Sequence, residues 1–166
     1  TEAPTITCPS SITVNNDADV CGAVVNFNVV YADNCPGSVL TQTAGLPSGS
    51  TFPIGATTNS FTVTDAAGHP MSCSFTVTVT DSQLPTISCP ADITVNNDTG
   101  SCGAVVNYGA PVVHDNCPDP TFAVTSGLAS GSVFPVGTNH VTYTVTDAHG
   151  NTASCSFDVI VNDTEL

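Results

Sequence analysis

Apolar and hydroxyl residues alternate without a break along Cys73-Ser74-Phe75-Thr76-Val77-Thr78-Val79-Thr80, and nearly so along Cys155-Ser156-Phe157-Asp158-Val159-Ile160-Val161. A period of two puts Cys73, Phe75, Val77 and Val79 on one face and predicts a strand buried on that side. Shorter stretches rich in Val, Ile, Phe and Thr predict further strands at 5–7, 12–14, 23–27, 39–43 and 61–64. Between them stand Asn15-Asn16-Asp17, Asn34-Cys35-Pro36-Gly37, Leu46-Pro47-Ser48-Gly49 and Ala66-Ala67-Gly68, whose residues suit tight or left-handed turns. No stretch shows helical periodicity.

The pattern is written twice. Pro4-Thr5-Ile6-Thr7-Cys8-Pro9 returns as Pro85-Thr86-Ile87-Ser88-Cys89-Pro90, and Cys8, Cys21, Cys35 and Cys73 return as Cys89, Cys102, Cys117 and Cys155. A period of about 80 residues is too long for a stacked solenoid and right for a small autonomous domain. The sequence therefore predicts an all-β protein of two tandem domains, 1–81 and 82–166. About seven short strands per domain with frequent turns predict immunoglobulin-like antiparallel β-sandwiches.

Domains this small usually need staples. Eight cysteines in two matched sets read as disulfides of an oxidising compartment, two per domain. No Cys-x-x-Cys or His-x-x-x-His spacing supports zinc. Four cysteines allow three pairings. The layout favours Cys8 with Cys21 across a hairpin around Asn15-Asn16-Asp17, leaving Cys35 for Cys73; the same reading pairs Cys89 with Cys102 and Cys117 with Cys155. Each bridge is worth on the order of 3 kcal/mol.

Charge narrows the functional classes. The chain has no Lys or Arg and 14 Asp plus Glu, for a formal net charge of -14. Its carboxylates repel one another with no Lys or Arg to offset them. Nucleic acid and anionic lipid, which require basic side chains, are excluded as electrostatic partners. No apolar run reaches the roughly 18 residues of a membrane-spanning helix. Trypsin-like proteases have no site. Catalysis finds no Gly-x-Ser-x-Gly motif, paired cysteines cannot act as nucleophiles, and His69, His114, His140 and His149 occupy non-equivalent positions in the two repeats. The expected catalytic set is empty.

Six ordered motifs occur in both repeats: Pro-Thr-Ile-x-Cys-Pro, Cys-Gly-Ala-Val-Val-Asn, Asp-Asn-Cys-Pro, Gly-Ser-x-Phe-Pro-x-Gly, Val-Thr-Asp-Ala-x-Gly and Ser-Cys-Ser-Phe-x-Val. In this order they resemble the hyalin repeat, and the likeness covers both repeats almost end to end. The resemblance implies immunoglobulin-like extracellular modules of adhesion proteins and large surface proteins, non-catalytic and usually in tandem. It names no ligand.

Three acidic places recur: Asp33-Asn34 (Asp115-Asn116), Asp65 (Asp147) and the joint residue Asp81 (Asp163). In a seven-stranded sandwich the loops carrying Asp115 and Asp147 are expected at the pole where Asp81-Ser82-Gln83 enters. Carboxylate and amide oxygens converging from three segments suit Ca²⁺. The corresponding set in the first repeat is Glu2, Asp33, Asn34 and Asp65, with Glu2 where Gln83 stands. The two ends read as halves of one joint, with Asp163 serving a following repeat. Asn97-Asp98-Thr99 and Asn162-Asp163-Thr164 fit the N-glycosylation pattern, so Asn97 and Asn162 are candidate sugar sites. These features predict a secreted or cell-surface rod, its beads closed by disulfides and its joints stiffened by calcium, with neighbouring repeats, further copies or a surface glycan or protein as partners. The alternative is a carbohydrate- or protein-binding accessory module, which would show a row of exposed aromatic side chains.

Overall fold

The computed structural model describes residues 2–165, and no helix occurs among them. The chain divides into two compact units, the first ending at Ser82 and the second beginning at Gln83. In the first the strands are β1 (Thr5–Thr7), β2 (Ile12–Asn15), β3 (Gly22–Val25), β4 (Val30–Ala32), β5 (Val39–Ala44), β6 (Ser50–Pro53), β7 (Gly55–Thr64) and β8 (Pro70–Thr80). The second repeats the order with β9 (Thr86–Ser88), β10 (Ile93–Asn96), β11 (Gly103–Val106), β12 (Val112–His114), β13 (Thr121–Ser126), β14 (Ser132–Pro135), β15 (Gly137–Thr146) and β16 (Thr152–Asn162).

One layer of the first unit is the four-stranded sheet β2-β8-β7-β5, completed by the pairs β1-β4 and β3-β6. The second unit has β10-β16-β15-β13, with β12-β9 and β11-β14. Each unit departs from a purely antiparallel sandwich at one ladder, because β2 runs parallel to β8 and β10 parallel to β16. The long hairpin is the scaffold. β7 and β8 pair from Gly55↔Val79 to Thr64↔Pro70, and β8 buries Phe75, Val77 and Val79 on the face that the alternation predicts.

That face meets Ala23, Val25 and Phe52 from β3 and β6. Phe27 stands edge-on to Phe52, Phe61 and Phe75 with centroids 6.3, 6.0 and 4.9 Å away. Tyr108 takes its place in the second unit against Phe134, Tyr143 and Phe157, and its hydroxyl donates to Leu128 O. The exchange is permitted because this ring lies at the core's margin, where a hydroxyl finds a carbonyl. Full burial of a side chain such as Phe52 contributes about 1.5–3 kcal/mol. The glycine after Cys21 is a packing requirement: a Cβ on Gly22 would meet Phe52 O at 2.5 Å, and Gly103 meets Phe134 O at the same distance.

The cysteine pairing corrects the expectation. Cys8 bonds Cys73 and Cys89 bonds Cys155, with Cα separations of 5.8 and 5.7 Å. The expected pairs Cys8 with Cys21 and Cys35 with Cys73, and their counterparts Cys89 with Cys102 and Cys117 with Cys155, are therefore not formed. Cys35 and Cys102 are free and exposed. The reason is the turn at Asn15-Asn16-Asp17. It connects two sheets, since β2 joins β8 while β3 joins β6, so Cys8 and Cys21 do not face one another across a hairpin. Each unit is thus closed by one disulfide of its own rather than two.

Candidate cation site at the N-terminal pole of each unit

β8 and β16 fix two poles in each unit. β8 starts beside the loop of Asp65 and ends at Thr80, a run of 11 residues that spans roughly 35 Å. Asp65 closes the β7–β8 loop. Its N–H donates to His69 O (3.2 Å), while its Oδ1 accepts from Ala67 N (2.9 Å) and His69 N (2.8 Å) and its Oδ2 pairs with His69 Nδ1 at 2.7 Å. Asp147 repeats the loop with a different partner. Oδ1 accepts from His149 N and Asn151 N, both at 2.8 Å, and Oδ2 from Asn151 Nδ2 at 2.7 Å.

These bonds set the charge state. The His69 backbone N–H does most to hold the Asp65 carboxyl below the usual carboxylate range, burial opposing it and the His69 ring adding to it. For Asp147 burial pushes upward, and the Asn151 side-chain amide with the Asn151 and His149 N–H groups outweighs it, so this carboxyl too lies below the usual range. Both are anions at neutral pH.

Asp33 follows β4 and Asp115 follows β12, which brings each to the same pole as the β7–β8 or β15–β16 loop. Glu2, Asp33, Asn34, Cys35 and Asp65 line one shallow cavity of about 290 Å³ in the first unit. Asn34 Nδ2 donates to Glu2 Oε2 at 3.5 Å. In the second unit Asp115 Oδ2 accepts from Cys117 N at 3.0 Å, and Asp115 and Asp147 bring carboxylate oxygens within 4.8 Å of one another. Asp33 Oδ1 and its repeat counterpart Asp115 Oδ1 are buried with no hydrogen-bond partner. A desolvated carboxylate oxygen left unmatched is costly, and here the same atom is left so in both repeats.

Calcium fits these residues. Two ligands of one Ca²⁺, each at 2.3–2.6 Å, lie at most about 5 Å apart, and the donors are hard oxygens with a lone pair to spare. Of the residues expected at the site, Glu2, Asp33, Asn34 and Asp65 come together in the first unit and Asp115 and Asp147 in the second. Asn116 directly follows Asp115, and Gln83 precedes β9; Asp81 stands between the end of β8 and Ser82. Asp163 lies at the other pole of the second unit, in a cavity with Asn97, Gly100, Ser101, Cys102 and Glu165.

That far pole holds a clamp the sequence reading missed. Ser82 N donates to Asn16 Oδ1 at 3.0 Å, and Thr164 N donates to Asn97 Oδ1 at 3.0 Å. Asn97 Nδ2 donates to Ser101 O at 2.9 Å, so the amide proposed for sugar already ties the departing chain to its loop. Recurrence of Asn-Asn-Asp in both repeats was the available signal. Asn162, the other sugar candidate, ends β16.

The HYR domain matches residues 1–79 and again 80–161. The chain belongs to the HYR domain family. Its two HYR copies are 31% identical over 165 residues to hyalin of Strongylocentrotus purpuratus, covering 97% of this chain and 14% of that protein. They are 27% identical over 173 residues to the serine-rich adhesin for platelets of Staphylococcus aureus, covering 89% of this chain and 7% of that one. The HYR pair thus spans a small fraction of these relatives. A solved structure of Drosophila N-cadherin EC1-3 superposes with a TM-score of 0.52 at 9% identity, over 92% of this chain and 63% of that one, a likeness of fold alone.

Proposed function

We propose that this HYR pair is an extracellular, non-catalytic structural and adhesive segment of a rod or filament, stiffened by disulfides and by Ca²⁺ at the N-terminal pole of each bead. Asp115 and Asp147, with Gln83 ahead of β9 and Asn116 beside Asp115, form the calcium set of the second bead; Glu2, Asp33, Asn34 and Asp65 form that of the first. The observation behind this reading is the buried, unmatched Oδ1 of Asp33 and of Asp115, repeated in both units. A bound cation relieves that cost and part of the self-repulsion of a chain without basic residues.

The rival reading of a ligand-binding accessory module finds less support. Phe52, Phe61 and Phe75 are buried, and the exposed aromatics Tyr31 and Phe122 lie one to a unit, on β4 and β13, rather than in a row. Titration calorimetry tests the calcium reading. The native chain is expected to bind Ca²⁺ with a Kd of about 10⁻⁴ to 10⁻³ M. Asp33→Asn and Asp115→Asn together should weaken it at least roughly tenfold, since each removes an anionic ligand. A flat isotherm at millimolar calcium, or an unaltered one in the double variant, overturns the reading. Small-angle scattering with and without EDTA tests stiffening: the maximum dimension should change on chelation while the domains stay folded.

A further inference from the structure

Each unit spends two of its four cysteines on its own staple, and the remaining two stand at opposite poles. Cys35 lines the N-terminal cavity with Glu2, Asp33 and Asp65. Cys102 lines the C-terminal cavity with Asp163 and Glu165, on the loop where Asp98 N donates to Gly103 O and Asn97 N donates to Asn162 O, the last residue of β16. The repeat relation places Cys21 on the matching loop of the first unit, where Asp17 N donates to Gly22 O and Asn16 N donates to Thr80 O. It places Cys117 beside Asp115 in the second. A disulfide requires Cα atoms within about 7 Å, whereas the poles are separated by the length of an 11-residue strand. The two leftover cysteines of a unit therefore cannot bond each other. Yet both kinds of position form cystines: Cys21 and Cys117 are disulfide-bonded, while their counterparts Cys102 and Cys35 are exposed thiols.

We infer that Cys102 of one copy and Cys35 of a second copy form a head-to-tail disulfide. The repeat gives each thiol the sequence surroundings of a partner that is already oxidised, which is why the occupant is a second copy of this chain. The chemistry balances with a low-molecular-weight disulfide such as oxidised glutathione as oxidant. The thiolate of Cys102 attacks one of its sulfurs and releases one glutathione thiolate. Cys35 of the other copy then displaces the second, so two protein thiols lose two electrons and two protons and two glutathione thiols carry them away. Both poles are acidic, with Glu2, Asp33 and Asp65 on one and Asp163 and Glu165 on the other, so salt or calcium should speed the encounter.

The inference deepens the filament reading and is tested apart from calcium. The full chain is incubated with oxidised glutathione, in calcium and in EDTA, and run on denaturing gels without reductant. A ladder at multiples of the chain mass, collapsed by dithiothreitol, is expected. Cys35→Ser and Cys102→Ser should each abolish the ladder, and their equimolar mixture should give a dimer far in excess of either alone. Chymotryptic mapping of a mixture of ¹⁴N and ¹⁵N chains, needed because trypsin has no site, should find Cys35 linked to Cys102 across isotopes. Monomer only, a Cys35 to Cys102 link confined to one chain, or single variants that dimerise as well as the mixture would each overturn it. Absence of the ladder with calcium binding intact sinks the covalent link alone. A ladder with a flat calcium isotherm sinks the calcium site alone.

Discussion

Asp65 and Asp147 each use one carboxylate to hold a loop and to present charge at a pole, and the loop-holding part is measurable. Both carboxyls are held below their unfolded value of about 3.9, so the stability they contribute is complete above that pH and is lost as pH falls through the lower folded value. Acidification also relieves the self-repulsion of the chain, so the difference between proteins is the proper readout. In urea titrations from pH 6 to about 2, the stability gap between the native chain and an Asp65→Asn, Asp147→Asn double variant should close towards the acid end. A pH-independent gap would refute it. At this scale the sequence was partly legible. Recurrence marked Asp33, Asp65, Asp115 and Asp147, but nothing in the letters distinguished an Asp whose oxygens are consumed by its own turn from one with an unmatched buried oxygen. That depends on Cys117 N reaching Asp115 Oδ2 and leaving Oδ1 alone.

Strands with clear alternation were read well. β8 and β16 run as the period of two demands, whereas β7 starts at Gly55, well before the apolar stretch from 61, because Gly55-Ala56-Thr57-Thr58-Asn59-Ser60 carries no hydrophobic rhythm and is recruited by pairing with β8. The short strands β4 and β6 were missed for a similar reason: three or four residues give too little pattern. The cysteine pairing failed because it assumed neighbours in sequence are neighbours in the sheet, and the parallel β2–β8 ladder violates that. The Cys8–Cys73 bridge closes 65 residues, so its loss should cost about 4 kcal/mol by the chain-entropy model. Replacing both Cys8 and Cys73 by Ala should lower the guanidinium midpoint of the first unit accordingly. Replacing the free thiols Cys35 and Cys102 by Ala should leave the staple of each unit intact and cost far less.

The whole chain is dominated by like charge. With a formal net charge of -14 and no Lys or Arg, its melting temperature should rise with sodium chloride as repulsion is screened, and rise further with calcium chloride at matched ionic strength if the polar sites bind the ion. Equal shifts for the two salts would leave screening as the sole effect. The wiring of one bead has a mechanical corollary. Tension applied at its two ends passes from Cys8 through sulfur to Cys73 and leaves along β8, a strand already near full extension, so the whole loop between the two cysteines, which stand 65 positions apart, is bypassed. Such a bead has almost no slack to pay out: it transmits load like a link in a chain, and only a reductant, not force alone at the scale of hydrogen bonds, lets it unravel.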